Sequence, residues 1–391
     1  MNGKRALVIG IVAGEQSGEN LAVDLVESIT ARTGVKPRLV GVGGGRLADM
    51  GLQSVFDPGE IAITGVTAVL AALPRLFLRI RQTSAALIAA NPDVIVFVDS
   101  PDFSLRVARR VKKAQPDTPI VKYVAPTVWA WRPERARKMS AFVDRVLAIL
   151  PFEPGVMRKL GGPETRYVGH PLAADADLDA LWKARRKKPA GVKDGFDLLV
   201  LPGSRTGEVK ALLPDFGKAV ALLHERGHRF RVSIPTLARL VPIVKRETAG
   251  WPVAPRITVT REDKLAAFRN ADAALAASGT VILELALAGI PVVSCYRTDP
   301  IIRLAVSMIH AWSAALPNII ADRPIVPEYI DYLIRPGMLA RRIEELVEPK
   351  SPAAKLQIQG FGKVRDLMAV DERPGMRAAE IVLDVVRRPS S

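Results

Sequence analysis

The stretch VIVFVDSPDF, residues 94–103, reads as a buried strand running straight into the first turn of a helix. The apolar run ends at Asp99, and Ser100, Pro101 and Asp102 then supply N-cap, N1 and N2 chemistry for the helix that begins PDFSLRVARRVKK. Two carboxylates three positions apart therefore have different surroundings. Asp102 sits in a first helical turn, where the helix dipole favours a negative charge by about 0.3–1 kcal/mol. Asp99 closes the strand and has no such local duty. Spacing alone weighs a hydrogen bond to loop amides and a catalytic role for it about equally.

The same unit recurs on both sides. RALVIGIVA, RLVGVG, DVIVFV, PIVKYV and RVLAIL each precede a segment of helical period, and a second series starts at FDLLVLPG and continues through RFRVSIP, RITVT, DAALAAS and PVVSCY. Strands alternating with helices predict βα units and parallel sheets. The fold class expected is therefore α/β, with two doubly wound Rossmann-like domains facing across a cleft, and ligands gathering beyond the carboxyl ends of the strands. The predicted domains are 1–173 and 196–360. A charged connector, 174–195, separates them, and a helical tail, 361–391, could return to the first domain.

Composition agrees with a large globular protein. The chain has 391 residues, 49% hydrophobic and 25% charged, which exceeds the size at which one core keeps growing. An excess of 56 Lys and Arg over 40 Asp and Glu gives +16 and favours an acidic partner, whether nucleic acid, anionic membrane or phosphorylated small molecule. The single cysteine, Cys295, excludes an intrachain disulfide and a cysteine-based zinc site. Aromatic residues are 5% of the chain, too few for the stacking platforms that bind single strands. No apolar run is long enough to span a bilayer, and the N-terminus reads as a first strand rather than a signal peptide.

Several loops carry candidate chemistry. AGEQSGEN, 13–20, lacks the P-loop pattern, and GVGGGR, 41–46, is a poor dinucleotide fingerprint. LLVLPGSRTGEV, 198–209, places Gly203, Ser204 and Arg205 just past a strand, where a guanidinium can fork onto a phosphate. ALAASGTVILELALAGIP ends a strand at Ser278 and opens a helix at Gly279 and Thr280, so free amides would face a diphosphate. Glu284, one turn on, would accept ribose hydroxyls. Capping and surface placement explain any one of these pieces, but less easily all three. His170 stands at a strand end near the domain junction, while His224 and His228 read as a solvated helix end. No metal cluster and no Ser-His-Asp order emerges.

In TGVTAVLAALPRLFLRIRQ, 64–82, Leu70, Leu73, Phe77 and Ile80 recur at helical spacing, beside Arg75, Arg79 and Arg81. Periodicity alone favours an ordinary core helix. The cationic flank shifts the reading to an interfacial helix pair broken at Pro74, since each Lys or Arg near anionic lipid contributes about 1 kcal/mol.

Taken in order, AGEQSGE, GVGG, VDSPDF, YVAPTVWAWRPERARK, LPFEP, VGHPL, LPGSR, ASGTVILE and LPNIIADRPIVPE resemble the lipid-A-disaccharide synthase family, inverting glycosyltransferases of the GT-B fold. The resemblance covers nearly the whole chain. It departs at Glu19, where the family usually has aspartate, and at Ser100, which replaces a usual alanine.

The resemblance implies transfer of 2,3-diacylglucosamine from its UDP form onto the 6-hydroxyl of 2,3-diacylglucosamine 1-phosphate, leaving a β(1→6) disaccharide 1-phosphate and UDP. Asp99 would be the general base. Glu15, Ser17, Glu19, Trp131 and Arg132, with Trp129, would shape the acceptor side. Gly203, Ser204, Arg205, Ser278, Gly279, Thr280, Glu284 and Asn318, with Glu328, would serve the donor. No cofactor or metal is expected. The expected partners are the two lipid substrates and inner-membrane surface lipids at the cytoplasmic face, without nucleic acid, and a homodimer is compatible with the reading. The rivals are a UDP-sugar 2-epimerase of the same fold and a non-enzymatic basic module that binds membrane or nucleic acid.

Overall fold

A computed structural model describes residues 5–61, 66–187, 195–298 and 310–387. Thirteen strands among these residues make two sheets, and every pairing is parallel. The first sheet contains β1 (Val8–Ala13), β2 (Arg38–Val42), β3 (Gln53–Ser54), β4 (Val94–Val98), β5 (Ile120–Tyr123), β6 (Arg145–Ala148) and β7 (Thr165–Tyr167), in the order β3-β2-β1-β4-β5-β6-β7. The second contains β8 (Phe196–Leu201), β9 (Phe230–Pro235), β10 (Arg256–Thr258), β11 (Ala273–Ala277), β12 (Val292–Tyr296) and β13 (Glu328–Ile330), in the order β10-β9-β8-β11-β12-β13.

The unbroken apolar strands follow from burial on both faces. In β4 all five residues are buried. Val94, Val96 and Val98 pack with the helix Gln16–Thr33, while Ile95 and Phe97 pack with Ile80, Leu87 and Val107 on the opposite face. β11, AALAA, is a poor strand by propensity, yet it too is wholly buried at the centre of its sheet.

The chain divides into two compact units. Residues up to Pro171 and from Val370 onward form the first, joined by His310, and Leu172 to Ala369 otherwise form the second. The sequence from 361 does not begin a separate tail: the helix Pro352–Met368 runs through it. Gln357 in that helix bonds both the amide and the carbonyl of Val292, which ties it to the second unit. The next helix, Pro374–Arg387, packs on Gln16–Thr33 in the first unit, with Arg373 on Asp24 and Arg32 on Glu372.

The expected connector is also structured as far as it is described. Residues Ala176–Lys187 form a helix whose Leu178, Leu181 and Trp182 are buried, at the i, i+3, i+4 spacing of one face. Arg185 shares that face and turns its guanidinium onto the carbonyls of Gly289, Phe268 and Ala271, while Asp177, Lys183 and Arg186 stay exposed; composition alone, counting these charges together, read as a linker.

Both sheets reverse direction of winding at one point, between β1 and β4 and between β8 and β11. In open α/β sheets the crevice outside the strand ends at such a point is where ligands bind. Ala13 pairs with Val98, so Gly14 and Asp99 leave the first sheet side by side. Leu201 pairs with Ala276, which sets the Gly203 loop next to the turn at Ser278.

Candidate active site

In the first unit, Asp99 and Ser100 both adopt left-handed backbone conformations, with φ of 50° and 43°. Val124, at the end of neighbouring β5, does so at 69°, and Arg132 at 53°. Such conformations cost non-glycine residues about 1–3 kcal/mol each and cluster at functional sites. Ser100 occupies the N-cap position, but its side chain makes no cap bond; its carbonyl accepts the Ser104 amide instead. Asp102 is paired with Arg135 at 2.7 Å and lies 3.7 Å from Arg132. The Asp99 carboxylate has neither an ion pair nor a hydrogen bond among the described residues.

The first helical turn after β1 lies against it. A Cβ built on Gly18 would stand 3.8 Å from Asp99 Cβ, and one on Gly14 would meet Ile61 at 2.8 Å and Ser100 Oγ at 3.3 Å. Only at Gly14 does the closeness exclude a side chain; at Gly18 the contact would be an ordinary one. Glu15 is the exposed N-cap of the helix Gln16–Thr33 and Ser17 is exposed in its first turn. Glu19 is placed differently from expectation. Its Oε1 accepts the Leu47 amide at 3.1 Å, and only a glycine at 44 leaves room for the carboxylate. Glu19 thus joins the 13–20 loop to the 41–46 loop, rather than standing free to meet a ligand.

Trp131 is partly buried, with the Arg132 guanidinium 5.1 Å from its ring centroid. Trp129, partly buried, packs edge-on against Phe152 at 5.4 Å. Glu153, after β6, is 2% exposed and accepts the Leu150 amide at 3.0 Å. Burial pushes its carboxyl up to about 8. His170 is also buried, and burial lowers it to about 4, leaving a neutral imidazole.

In the second unit, Gly203 has φ of 111° and Arg205 caps the helix Thr206–Glu225. Glu208 already occupies this loop. Its Oε2 accepts the amides of Ser204 and Arg205 at 3.0 and 3.2 Å, and its Oε1 holds the Arg205 guanidinium at 2.8 Å. Arg205 remains 64% exposed, so the guanidinium is accessible but not idle. At the next switch-point turn, Gly279 caps the nine-residue helix Thr280–Ala288 with open space around it, and Thr280 is exposed. Ser278 donates to the Ala314 carbonyl at 3.2 Å. Glu284 binds Lys264 Nζ through both oxygens, at 2.7 and 2.8 Å.

Asn318, expected on the donor side, is held inside the second unit. It is 1% exposed, its oxygen accepts the amides of Ile325 and Val326, and its nitrogen donates to the Val326 carbonyl, Ser313 and Glu328. An amide with every donor and acceptor used inside the protein has none left for a ligand. Glu328 belongs to the same clamp: it accepts the Ala314 amide and the Ser313 hydroxyl, and so sets the segment that Ser278 contacts.

The interfacial reading of 64–82 also changes. Pro74 lies inside one continuous helix, Val66–Ala90, instead of separating two. Ile80 is 3% exposed and packs in the core with Val12 and Phe97, while Phe77 and Leu78 are 54% and 51% exposed. Leu73 is half-buried, and the side chain of Leu70 lies outside the described residues. Arg79 pairs with Glu60 at 2.6 Å, and Arg75 stands 3.9 Å from the same carboxylate. Among the described residues no helix is long and apolar enough to cross a membrane, and no group of three or more His, Cys, Asp or Glu is placed to hold a metal.

Comparison with known proteins decides the family. The lipid-A-disaccharide synthetase family (LpxB) matches residues 9–373. A lipid-A-disaccharide synthase of Rhodopseudomonas palustris is 44% identical over 390 residues, covering 98% of each chain. The chain belongs to the lipid-A-disaccharide synthase family. Another relative of that name, from Rhodospirillum centenum, is 42% identical over 388 residues, covering 98% of this chain and 96% of its own.

The family's fold is GT-B, and solved structures agree. Acinetobacter baumannii MurG superposes with a TM-score of 0.59 at 14% identity, over 97% of this chain and 100% of its own. The S. aureus MnaA-UDP co-structure does so with 0.61 at 11% identity, over 98% and 96%. At such identities the likeness carries the fold and no more.

Sequence reading of this lipid-A-disaccharide synthase family member missed Lys122, Glu208 and Lys264. Of these only Lys122 left a signal, as the one charge inside the strand PIVKYV. It lies directly beneath Asp99.

Proposed function

We propose that this chain transfers 2,3-diacylglucosamine from its UDP derivative to the 6-hydroxyl of 2,3-diacylglucosamine 1-phosphate, releasing UDP and a β(1→6)-linked disaccharide 1-phosphate. The observation that carries the reading is the unpaired Asp99 carboxylate at the switch point of the first sheet, in a chain of this family. Asp99 takes the proton of the acceptor hydroxyl as its oxygen attacks the anomeric carbon, and the bond to UDP breaks with inversion. General base catalysis of this kind contributes about 10²- to 10⁴-fold. Because a carboxylate is a far weaker base than an alkoxide, the alcohol proton is transferred only late, once the new bond has begun to form.

The departing diphosphate needs fixed positive charge and amide donors where its own charge develops. Arg205 and the open helix start at Gly279 and Thr280 are the groups of the second unit suited to it, with Glu284 for the ribose hydroxyls. Arg205 gives Glu208 a single nitrogen, Nη1, and its remaining N–H donors are available to phosphate. The acylated substrates call for access to a lipid surface. Phe77 and Leu78, with exposed Arg75 and Arg81 on the same helix, are the groups that would rest on the cytoplasmic face of the inner membrane.

The test is incubation of the purified protein with UDP-2,3-diacylglucosamine and diacylglucosamine 1-phosphate, following UDP and disaccharide by mass spectrometry. Formation of both only when the acceptor is present supports the transferase. Epimerised UDP-sugar without disaccharide would instead support the 2-epimerase reading.

A further inference from the structure

Among the described residues, Lys122 is the largest charged side chain that is fully buried, at 1% exposure in the middle of the first sheet. It lies on β5 opposite Phe97 of β4. Its Nζ donates to the carbonyl of Asp99 at 2.5 Å, and more weakly to those of Tyr123 at 3.3 Å and Phe97 at 3.4 Å. An ammonium has three donors and no acceptor, so three converging carbonyls match it fully.

Those carbonyls converge because the chain turns left-handed as it leaves both strands, at Asp99 and Ser100 after β4 and at Val124 after β5. The β-branched Val124 is a strong outlier in that region, so the arrangement must be held from outside. Among the described residues, the one side chain besides Lys122 that bonds the Asp99 carbonyl is Ser104, at 3.0 Å. The Asp99 amide bonds the Tyr123 carbonyl at 3.0 Å, which closes the link between the two strand ends.

We infer that Lys122 is a positioning residue for Asp99, its ammonium gathering the carbonyls of both strand ends and so fixing the peptide from which the unpaired carboxylate rises. The assignment rests on Asp99 being the base. It gives a reason for a buried cation where an apolar side chain would pack at lower cost. Burial pulls Lys122 down to about 7, the Asp99 carboxylate opposes that pull, and Arg135 adds to it. Of the surrounding charges, it is the Asp99 carboxylate that favours the ammonium form.

The experiment replaces Lys122 by Met, of similar length without the charge, in the full chain and in an Asp99→Asn background, and measures kcat, KM for both substrates and the Kd of UDP. Misplacing a catalytic group by about 1 Å costs on the order of a hundredfold. The expected result is a loss of that size in kcat, with KM and UDP affinity held within roughly twofold and no further loss in the Asp99→Asn background. Unchanged kcat, or an equal loss when Asp99 is already replaced, overturns the assignment.

If the wild-type protein makes no acceptor-dependent product, the functional reading fails by itself. The positioning role is then read from amide hydrogen exchange, where faster exchange confined to residues 99–104 in Lys122→Met supports it and unchanged exchange overturns it. Should Lys122→Met not fold, Lys122→Gln, which keeps two donors, and Ser104→Ala, which deletes the other donor to Asp99, are read by the same criteria.

Discussion

Arg135 holds Asp102 at 2.7 Å, whereas the carboxylate of Asp99, three residues earlier, makes no ion pair or hydrogen bond among the described residues. One short stretch therefore presents one neutralised and one available carboxylate. Asp99→Ala should lower kcat by about 10²- to 10⁴-fold with UDP affinity intact. Asp102→Ala, which removes the exposed member of the pair, should change stability by about 1 kcal/mol and leave kcat within a few-fold. Steady-state kinetics on the two variants decide it, and equal losses would refute the division of labour.

Arg205 is gripped by Glu208 and still largely exposed. A charge-assisted contact of a guanidinium with phosphate is worth about 1.5–3 kcal/mol, so Arg205→Ala should raise the Kd for UDP by about tenfold or more. Calorimetry measures this directly, and an unchanged Kd removes Arg205 from the phosphate site.

Asn318 should behave as a structural residue. Asn318→Ala leaves the amides of Ile325 and Val326 without their acceptor, at about 1–3 kcal/mol for each group left unsatisfied. A lower melting temperature with unaltered UDP affinity at temperatures where the variant is folded is the expected pair of results. Weaker UDP binding by fully folded protein would restore Asn318 to the donor site.

The helix Val66–Ala90 separates two roles within four residues. Replacing Phe77 and Leu78 together by Ser should reduce co-sedimentation with anionic vesicles while leaving the melting temperature nearly unchanged. Ile80→Ala should cost about 2–5 kcal/mol, as for other buried aliphatic truncations. Vesicle binding that survives the double substitution would move the lipid contact elsewhere.

Buried Glu153 makes stability depend on pH. Its carboxyl is raised from 4.5 to about 8, so between these values the folded chain binds more protons than the unfolded one. The resulting stability is complete below pH 4.5 and is lost as pH rises through about 8. Glu153→Gln should flatten the fall in denaturant midpoint across that window, and an unaltered slope would mean that Glu153 is already ionised.

The alternation of apolar strands and helical segments was readable because it is local chemistry. VIVFV is buried on both faces, and Ser100, Pro101 and Asp102 carry helix-start chemistry whatever surrounds them, which separates Asp102 from Asp99 before any coordinates are known. The turns at Gly203 and Gly279 were legible for the same reason. Local pattern went wrong where a periodic face has two possible neighbours. Ile80 and Phe77 share a stripe, but the core reaches only one of them. Ala176–Lys187 has the charge of a linker in its composition, yet Trp182 is buried and Arg185 is turned inward beside it.

What the sequence determined by itself was the order of βα units, the family, and the separate environments of two nearby carboxylates. Tertiary structure decided which polar groups were already taken. Glu208 reaches back to Arg205, Lys264 crosses to Glu284, Asn318 clamps 325–326, and Lys122 collects carbonyls from two strand ends. Each is a hydrogen bond fixed by how the backbone packs, and a side chain's type does not say which partner the fold will bring within 3 Å of it.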